Sequence, residues 1–170
     1  MKNKRIIIVV ASCLMLLAYF AMPYANIKVS SFLMSDELSF TQFDDLKDAD
    51  TILDFLLSLL ILLSPLYLLL DVFRENLQEI VPIVKKIIIS EKVTLLLPLI
   101  LIVFQRLYVE SIIPAFNEII EAYSEGYADF SIEYGSGFYL YLVAAIVVAV
   151  LPWVKQSLLE EEKKEEEYKS

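Results

Sequence analysis

The chain of 170 residues contains no histidine, one cysteine and three glycines. Without histidine it has no Ser-His or Cys-His nucleophile pair, no histidine ligand for haem, and none of the common zinc or iron sites that need imidazole. A single cysteine excludes an intramolecular disulfide and a cysteine-based zinc site built from this chain alone. No glycine-rich loop is present to hold a phosphate. We therefore predict that the protein is not an enzyme and binds no cofactor or metal.

What the sequence does contain is apolar residues, which make up 58% of the chain, above the roughly 45–50% of soluble globular proteins. They are concentrated in four blocks, at residues 6–22, 52–70, 93–113 and 138–154. With its flanks each block reaches about 20 residues, which is enough for a helix to cross a hydrocarbon core of roughly 30 Å. The sequence therefore predicts an all-α membrane protein with four transmembrane helices over residues 1–154, followed by a charged tail at 155–170.

The first block has a second interpretation, as a signal peptide, because basic residues precede it. Cleavage after Ala21 would place bulky Tyr19 at the minus-three position, where a small residue is needed. The segment Val10–Cys13 is similar to a lipoprotein processing box, but the chain remains apolar well beyond Cys13. We favour an uncleaved helix in which Cys13 is a small packing residue.

The distribution of charge predicts the orientation, since positive residues favour the cytoplasmic side. Segments 23–50 and 109–137 together hold twelve acidic residues and only two basic ones. Basic residues instead occupy the amino-terminal leader, the connection 71–92 and the tail: Lys2, Lys4, Arg5, Arg74, Lys85, Lys86, Lys92, Lys155, Lys163, Lys164 and Lys169. We predict a multi-pass protein of the cell membrane with both termini in the cytoplasm, and nucleic acid is not expected as a partner of so acidic a chain.

The outer loops, 23–51 and 114–137, are too patterned to be simple turns. Apolar and polar residues alternate at 26–30 and again at 129–134, which predicts two short strands able to pair into a small sheet. Ser39 with Gln42 predicts a capping box for a short helix, and Pro114 suits the start of another. These elements predict an extracytoplasmic cap of short helices with a small β-sheet.

Inside, the apolar residues of connection 71–92 recur at helical spacing. That pattern fits either a helix at the membrane interface or an extension of the neighbouring spans into the cytoplasm. The tail mixes glutamate with lysine and fits a solvated helix or a disordered end.

Two charged residues lie within or near the spans, and Asp54 and Arg106 fall toward the same, outer side. An intramembrane ion pair between them is one interpretation. The alternatives are a bond from Arg106 to Glu110 one turn later, or side chains that snorkel to the interface.

The acidic residues of the outer loops form a candidate binding surface for a cationic partner. Its members are Asp44, Asp45, Asp48, Asp50, Glu118, Glu121 and Glu125. The alternative is an ordinary solvated helical face, and a calcium loop would need a glycine turn that is missing here. Ala145 and Ala149, four residues apart in the last span, predict a close helix contact.

Two segments, Met22–Val29 and Tyr134–Leu142, resemble features of small four-helix membrane proteins of bacteria. The layout, with a large first outer loop and a sheet, is also similar to that of claudins, although the loop disulfide of claudins cannot form here because that loop has no cysteine. The resemblance implies no catalytic residues.

These observations predict a non-enzymatic accessory or interaction subunit in the lipid bilayer that binds a protein or cationic peptide through its acidic outer surface. An immunity-type protein that protects a cell from a membrane-active peptide is one form of this hypothesis. The alternative is a homo-oligomeric cation channel or pore, in which the face carrying Ala145 and Ala149 mediates self-association and the acidic mouths favour cations.

Overall fold

The computed structural model describes residues 2–31, 35–49, 51–73, 91–124 and 128–169. The described part is mostly helical and includes a small three-stranded sheet. In chain order its elements are α1 (Lys2–Ala21), β1 (Pro23–Ser31), β2 (Ser35–Thr41), α2 (Gln42–Lys47), α3 (Ile52–Val72), α4 (Glu91–Ser124), β3 (Ala128–Tyr134) and α5 (Ser136–Lys169). Most of the predicted connection at 71–92 lies outside the described residues.

Four of the helices are long and apolar enough to cross a membrane, as predicted. The apolar windows are Lys4–Ala21, Ile52–Val72, Lys92–Ile119 and Ser136–Val154. Each window contains one of the four apolar blocks of the sequence. The one exception is Met22, the last residue of the first block, which lies just outside its window. The last helix continues past its apolar window to Lys169, so the backbone of the charged tail is helical.

The third span differs from the prediction, because α4 is one helix of 34 residues that passes through Pro114. The prediction that Pro114 begins a separate helix was wrong. Proline removes one backbone N–H and therefore one hydrogen bond to the carbonyl four residues earlier. The surrounding helix is long enough to continue across that single gap.

Each spanning helix turns one face inward, at the spacing of three and four residues expected for a helix. On α1 the buried positions include Ile8, Ala11, Met15 and Ala18, which belong to one core cluster. Cys13 lies outside this face and is exposed, so its predicted packing role was wrong.

The sheet has the strand order β2-β1-β3, with both neighbours antiparallel to β1. The predicted pairing of the two alternating segments is confirmed by the pairs Ile27 with Ile132 and Ala25 with Tyr134. Strand β2 was not predicted, since its sequence SDELSFT has weak apolar alternation. A register shift between Pro23 and Ala25 marks an irregularity where β1 leaves α1.

The short helix α2 was predicted, but its cap lies two residues later than expected. Thr41 is the N-cap, and its side chain accepts a hydrogen bond from the backbone of Asp44, whose carboxylate bonds back to Thr41. Ser39 is instead part of β2 and pairs with Asn26. Aspartate at the third helical position completes the capping box in place of the glutamine that we predicted in that role.

Candidate interaction site at the sheet end

The three strands and α2 meet the spanning helices at one end of the molecule, which we call the sheet end. Strand β1 contacts α5, β3 contacts α4, and α2 contacts α3. The backbone N–H of Gly135, just before α5, donates to the carbonyl of Tyr24 over 2.8 Å. The exit from the first span and the return to the last are therefore joined directly.

Buried polar side chains hold the sheet end to the helices. The hydroxyl of Tyr24 donates to Gln105 Oε1 over 2.7 Å, and Gln42 Nε2 donates to Ser58 Oγ over 3.0 Å. The hydroxyl of Tyr19 donates to the backbone carbonyl of Ser58 over 3.2 Å. These bonds connect β1 to α4, α2 to α3, and α1 to α3. A polar group left without a partner in apolar surroundings is costly. These hydrogen bonds therefore favour the one arrangement in which each of these donors meets its acceptor.

Deeper in the helices, a second polar group surrounds Pro65. Proline cannot donate to the carbonyl of Ile61, the bond that any other residue at that position would make. The hydroxyl of Tyr141 donates to this carbonyl over 2.8 Å, and Ser64 Oγ donates to it over 3.1 Å. The two hydroxyls also lie 2.9 Å apart. The two hydroxyls therefore supply the hydrogen bonds that the carbonyl of Ile61 does not receive from Pro65.

The space enclosed near Tyr19, Tyr24, Gln42 and Tyr141 is too small to hold a water molecule. This interior is a packed polar core and not a ligand cavity. Gln42 Oε1 has no hydrogen-bond partner among the described residues, although Gln42 is 2% exposed.

The structure places Asp54 and Arg106 with different partners. Arg106 Nε donates to Glu110 Oε1 over 2.8 Å, the alternative contact considered above. The guanidinium also lies over the ring of Tyr134, 5.2 Å from its centroid. Asp54 is in the first turn of α3, where its backbone N–H and carboxylate both bond to the N-cap Thr51. Asp54 is therefore bonded at the start of α3, whereas Arg106 contacts both Glu110 on its own helix and Tyr134 of β3.

At the sheet end, the described acidic side chains outnumber the basic ones. Three basic side chains are described there, and each is paired with an acid: Lys28 with Glu133 at 2.7 Å, Lys47 with Asp44 at 3.7 Å, and Arg106 with Glu110. The other acidic side chains described at this end are Glu37, Asp45, Asp48, Asp54 and Glu118. Asp50 and the side chains of Glu121 and Glu125 lie outside the described part. A net negative surface remains after the pairing.

Asp45 is the most perturbed of these carboxyl groups outside the spans. Partial burial, together with the charges of Asp44, Asp54 and Asp48, raises its pKa to about 6. The neighbouring Asp44 behaves oppositely, because its hydrogen bonds from Thr41 lower its pKa. Two adjacent carboxyls therefore titrate in different pH ranges.

We expect the stability of the fold to fall as the pH rises from about 4 to about 7. The folded pKa of Asp45 lies above its ordinary value of 3.8, so between the two values the folded state binds more protons than the unfolded state. After allowance for partial exposure, the loss is about 1 kcal/mol. Thermal unfolding in a mild detergent measures it. The variant Asp45→Asn should lack this part of the pH dependence, and an unchanged pH profile in that variant would contradict the assignment.

Ala145 and Ala149 are 0% and 2% exposed and lie in the interior of one chain. Helix α5 packs against α1 and α4, the two helices with which it shares most of its helix contacts. Both alanines are therefore occupied by packing within the chain. They do not supply the self-association face on which the pore hypothesis depends.

Sequence reasoning missed the residues of the polar core: Tyr19, Tyr24, Gln42, Ser58, Ser64, Gln105 and Tyr141. One signal was available, since Ser58, Ile61 and Ser64 recur at helical spacing with the buried Leu68. Hydroxyls on the inward face of an apolar helix indicate bonds to other helices. The sequence did not indicate which residues these hydroxyls would bond to.

The class of protein follows from the fold. Only 33%, 33%, 17% and 39% of the four apolar windows are buried within the chain, so most of their apolar surface needs a nonaqueous environment. This is the layout of a multi-pass membrane protein. Comparison of the chain with family models, with curated proteins and with solved structures finds no match.

Proposed function

We propose that the protein is a non-enzymatic membrane subunit whose acidic sheet end binds a protein or a cationic peptide. The observation that carries this proposal is the pairing of Lys28, Lys47 and Arg106 with acids while further carboxylates stay unpaired by bases in the described part. Such a surface attracts positively charged partners and speeds their encounter. An immunity-type protein that intercepts a membrane-active peptide is one form of this function.

The sheet end lies outside the cell in this proposal, with both termini in the cytoplasm. The basic leader and the basic connection 71–92 support this orientation, because such residues favour the cytoplasmic side. The short elements at the sheet end would then form an extracytoplasmic cap. A partner would reach the acidic surface from outside.

The buried polar side chains support a structural role for the interior. Tyr141 and Ser64 bond to the carbonyl left open by Pro65, and Tyr24 and Gln42 join the sheet end to the helices. Each of these four side chains makes at least one hydrogen bond that holds two parts of the fold together. This leaves the surface, not the interior, as the functional region.

The test is binding of oligolysine to the protein in nanodiscs of zwitterionic lipid. Neutralising two exposed acids at the sheet end, Asp48→Asn with Glu118→Gln, should weaken binding about fivefold at low salt and reduce its salt dependence. The matched control is Asp71→Asn, an exposed acid at the carboxyl end of α3, away from the sheet end, which should bind as the wild type does. Equal binding by the double variant and the wild type at low salt would contradict the electrostatic proposal.

Native mass spectrometry of the protein extracted gently from its host membrane tests the assembly. A heteromeric mass supports a subunit with a protein partner. A discrete homo-oligomer that supports ion flux in liposomes would favour the pore instead.

A further inference from the structure

Strand β2 forms one edge of the sheet, because the strand order is β2-β1-β3 and β2 pairs only with β1 among the described residues. Strand β3, at the other edge, contacts α4. Glu37, Leu38 and Ser39 are consecutive residues of β2 and all three are exposed, Leu38 by 58%. Both faces of β2 are therefore open at these positions. An edge strand of this kind can pair with a further extended chain.

The backbone groups that point away from the sheet belong to Glu37 and Ser39. The carbonyl of Tyr24 accepts a hydrogen bond from the residue just after β3, so this carbonyl points to the β3 side of β1. Backbone groups of successive strand residues point to opposite edges. Ile27, three residues later, therefore points to β2, where it pairs with Leu38. The two neighbours of Leu38 must then direct their N–H and carbonyl groups outward.

Thr41 follows the same alternation and marks where this outer edge ends. It lies two residues beyond Ser39, and its outward N–H donates to Asp44 Oδ2 over 3.0 Å. The capping box of α2 thus closes the outer edge of β2 at Thr41. No described residue bonds to the outward N–H groups of Glu37 and Ser39.

The side chains on the two faces of the sheet specify what an added strand would carry. One face bears an apolar row that begins at Leu38 and continues through Ile27 to β3. On the other face Glu37 lies opposite Lys28, whose ammonium is bonded to Glu133 over 2.7 Å. Glu37 has no ion pair of its own among the described residues. An added strand would therefore place apolar side chains beside Leu38 and basic ones beside Glu37.

Charge favours one of two occupants of this edge. A second copy of the chain, paired through its own β2, would bring another Asp36 and Glu37 to the junction. Like charges on paired strands are destabilising, and charged residues on an edge strand protect it from such self-pairing. A basic segment would instead be attracted by the same residues. The favoured occupant is therefore a cationic peptide.

We propose that the outer edge of β2 binds an extended cationic peptide as an antiparallel fourth strand, with basic residues opposite Glu37 and Ser39 and an apolar residue opposite Leu38. This inference rests on the proposed function, since it names the class of partner and its mode of binding at the sheet end. Backbone pairing supplies the affinity, and the alternation of side chains selects the sequence. The antiparallel orientation continues that of the three strands already present.

The first test is binding of the acetylated, amidated peptide Lys-Val-Lys-Val-Lys to the protein in nanodiscs of zwitterionic lipid. In the antiparallel pair the lysines lie opposite Glu37 and Ser39, so their backbone N–H groups point to β2 and those of the valines point away. Methylating the backbone nitrogens of the lysines should weaken binding about tenfold, because donors are lost and close approach is blocked. Methylating those of the valines is the matched control and should leave binding unchanged. Both modified peptides keep the charge and the side chains.

The second test changes the protein at Ser39 without changing its charge. Ser39→Pro removes an outward N–H and leaves the pairing with β1 in place, since proline is tolerated on an edge strand where its nitrogen faces solvent. It should weaken binding of the unmodified peptide about tenfold, whereas Ser39→Ala should bind as the wild type does. Thermal unfolding checks that both variants are folded. If Ser39→Pro does not fold, the two methylated peptides decide, because they are measured on the wild type.

Equal binding of the two methylated peptides would overturn the added strand. If Asp48→Asn with Glu118→Gln still weakened binding in that case, the sheet end would remain a site for cationic partners and only the strand pairing would be lost. If no cationic peptide bound at low salt, the proposed function would fail as well. A homodimer that dissociates in Ser39→Pro would also overturn the inference, because the edge would then join two copies of the chain.

Discussion

Replacing Gly135 with alanine is expected to destabilise the fold by about 3 kcal/mol or more. A Cβ atom at this position would lie 2.2 Å from the carbonyl oxygen of Pro23. The clash is with backbone, so no side-chain rotation relieves it. The same segment holds the hydrogen bond from Gly135 to Tyr24, and moving the chains apart would break it.

Thermal unfolding of the variant in a mild detergent measures this effect. Ser136→Ala is the matched control, because Ser136 is the exposed neighbour and the change adds no atom. Gly137→Ala should have a smaller effect, of about 1–2 kcal/mol. Its Cβ would lie 2.9 Å from two carbonyl oxygens, while alanine gains about 1 kcal/mol from its helix propensity. If Gly135→Ala were as stable as the wild type, the close contact between the backbones of Gly135 and Pro23 would be contradicted.

Replacing Tyr141 with phenylalanine is expected to cost about 1–2 kcal/mol, since it removes a hydrogen bond within apolar surroundings. The lost bond runs to the carbonyl of Ile61, which Pro65 leaves without its normal helical partner. Ser64 remains as a donor to that carbonyl, which limits the loss. Tyr139→Phe on the same helix is the control, because Tyr139 is 54% exposed.

A double-mutant cycle with Pro65→Ala tests the physical reason for that bond. Alanine at position 65 supplies the missing backbone N–H, so Ile61 regains a donor within α3. In that background, Tyr141→Phe should cost clearly less than in the wild type. Equal costs in the two backgrounds would mean that the tyrosine does not serve the carbonyl opened by proline.

Some elements of the sheet end could be predicted from the sequence, and others could not. The alternation at 26–30 and 129–134 predicted two strands that pair across about a hundred residues, because a two-residue period exposes one apolar face. Strand β2 lacks this period and is held as the hairpin neighbour of β1. Its formation depends on a partner and could not be read locally. The cap of α2 was misplaced because Ser39 and Thr41 both have the hydroxyl that an N-cap needs.

The charged residues show the same division. The pairing of Arg106 with Glu110 is a contact between residues four apart on a helix and was among the alternatives, since such neighbours lie on one face. The role of Asp54 as part of the start of α3 is also local. The bond between Tyr24 and Gln105, by contrast, joins residues 81 positions apart. No periodicity within either segment indicates it.

By itself, the sequence determined the number of long apolar helices and their approximate limits, because the length and composition that suit a helix to a bilayer are properties of contiguous residues. The tertiary structure decided which of their faces meet. It placed Ala145 and Ala149 in the interior and brought Tyr141 to the carbonyl of Ile61 that Pro65 leaves open. These features depend on contacts between helices far apart in the chain, where apolar sequences are nearly interchangeable and only close packing and a few polar bonds select one arrangement.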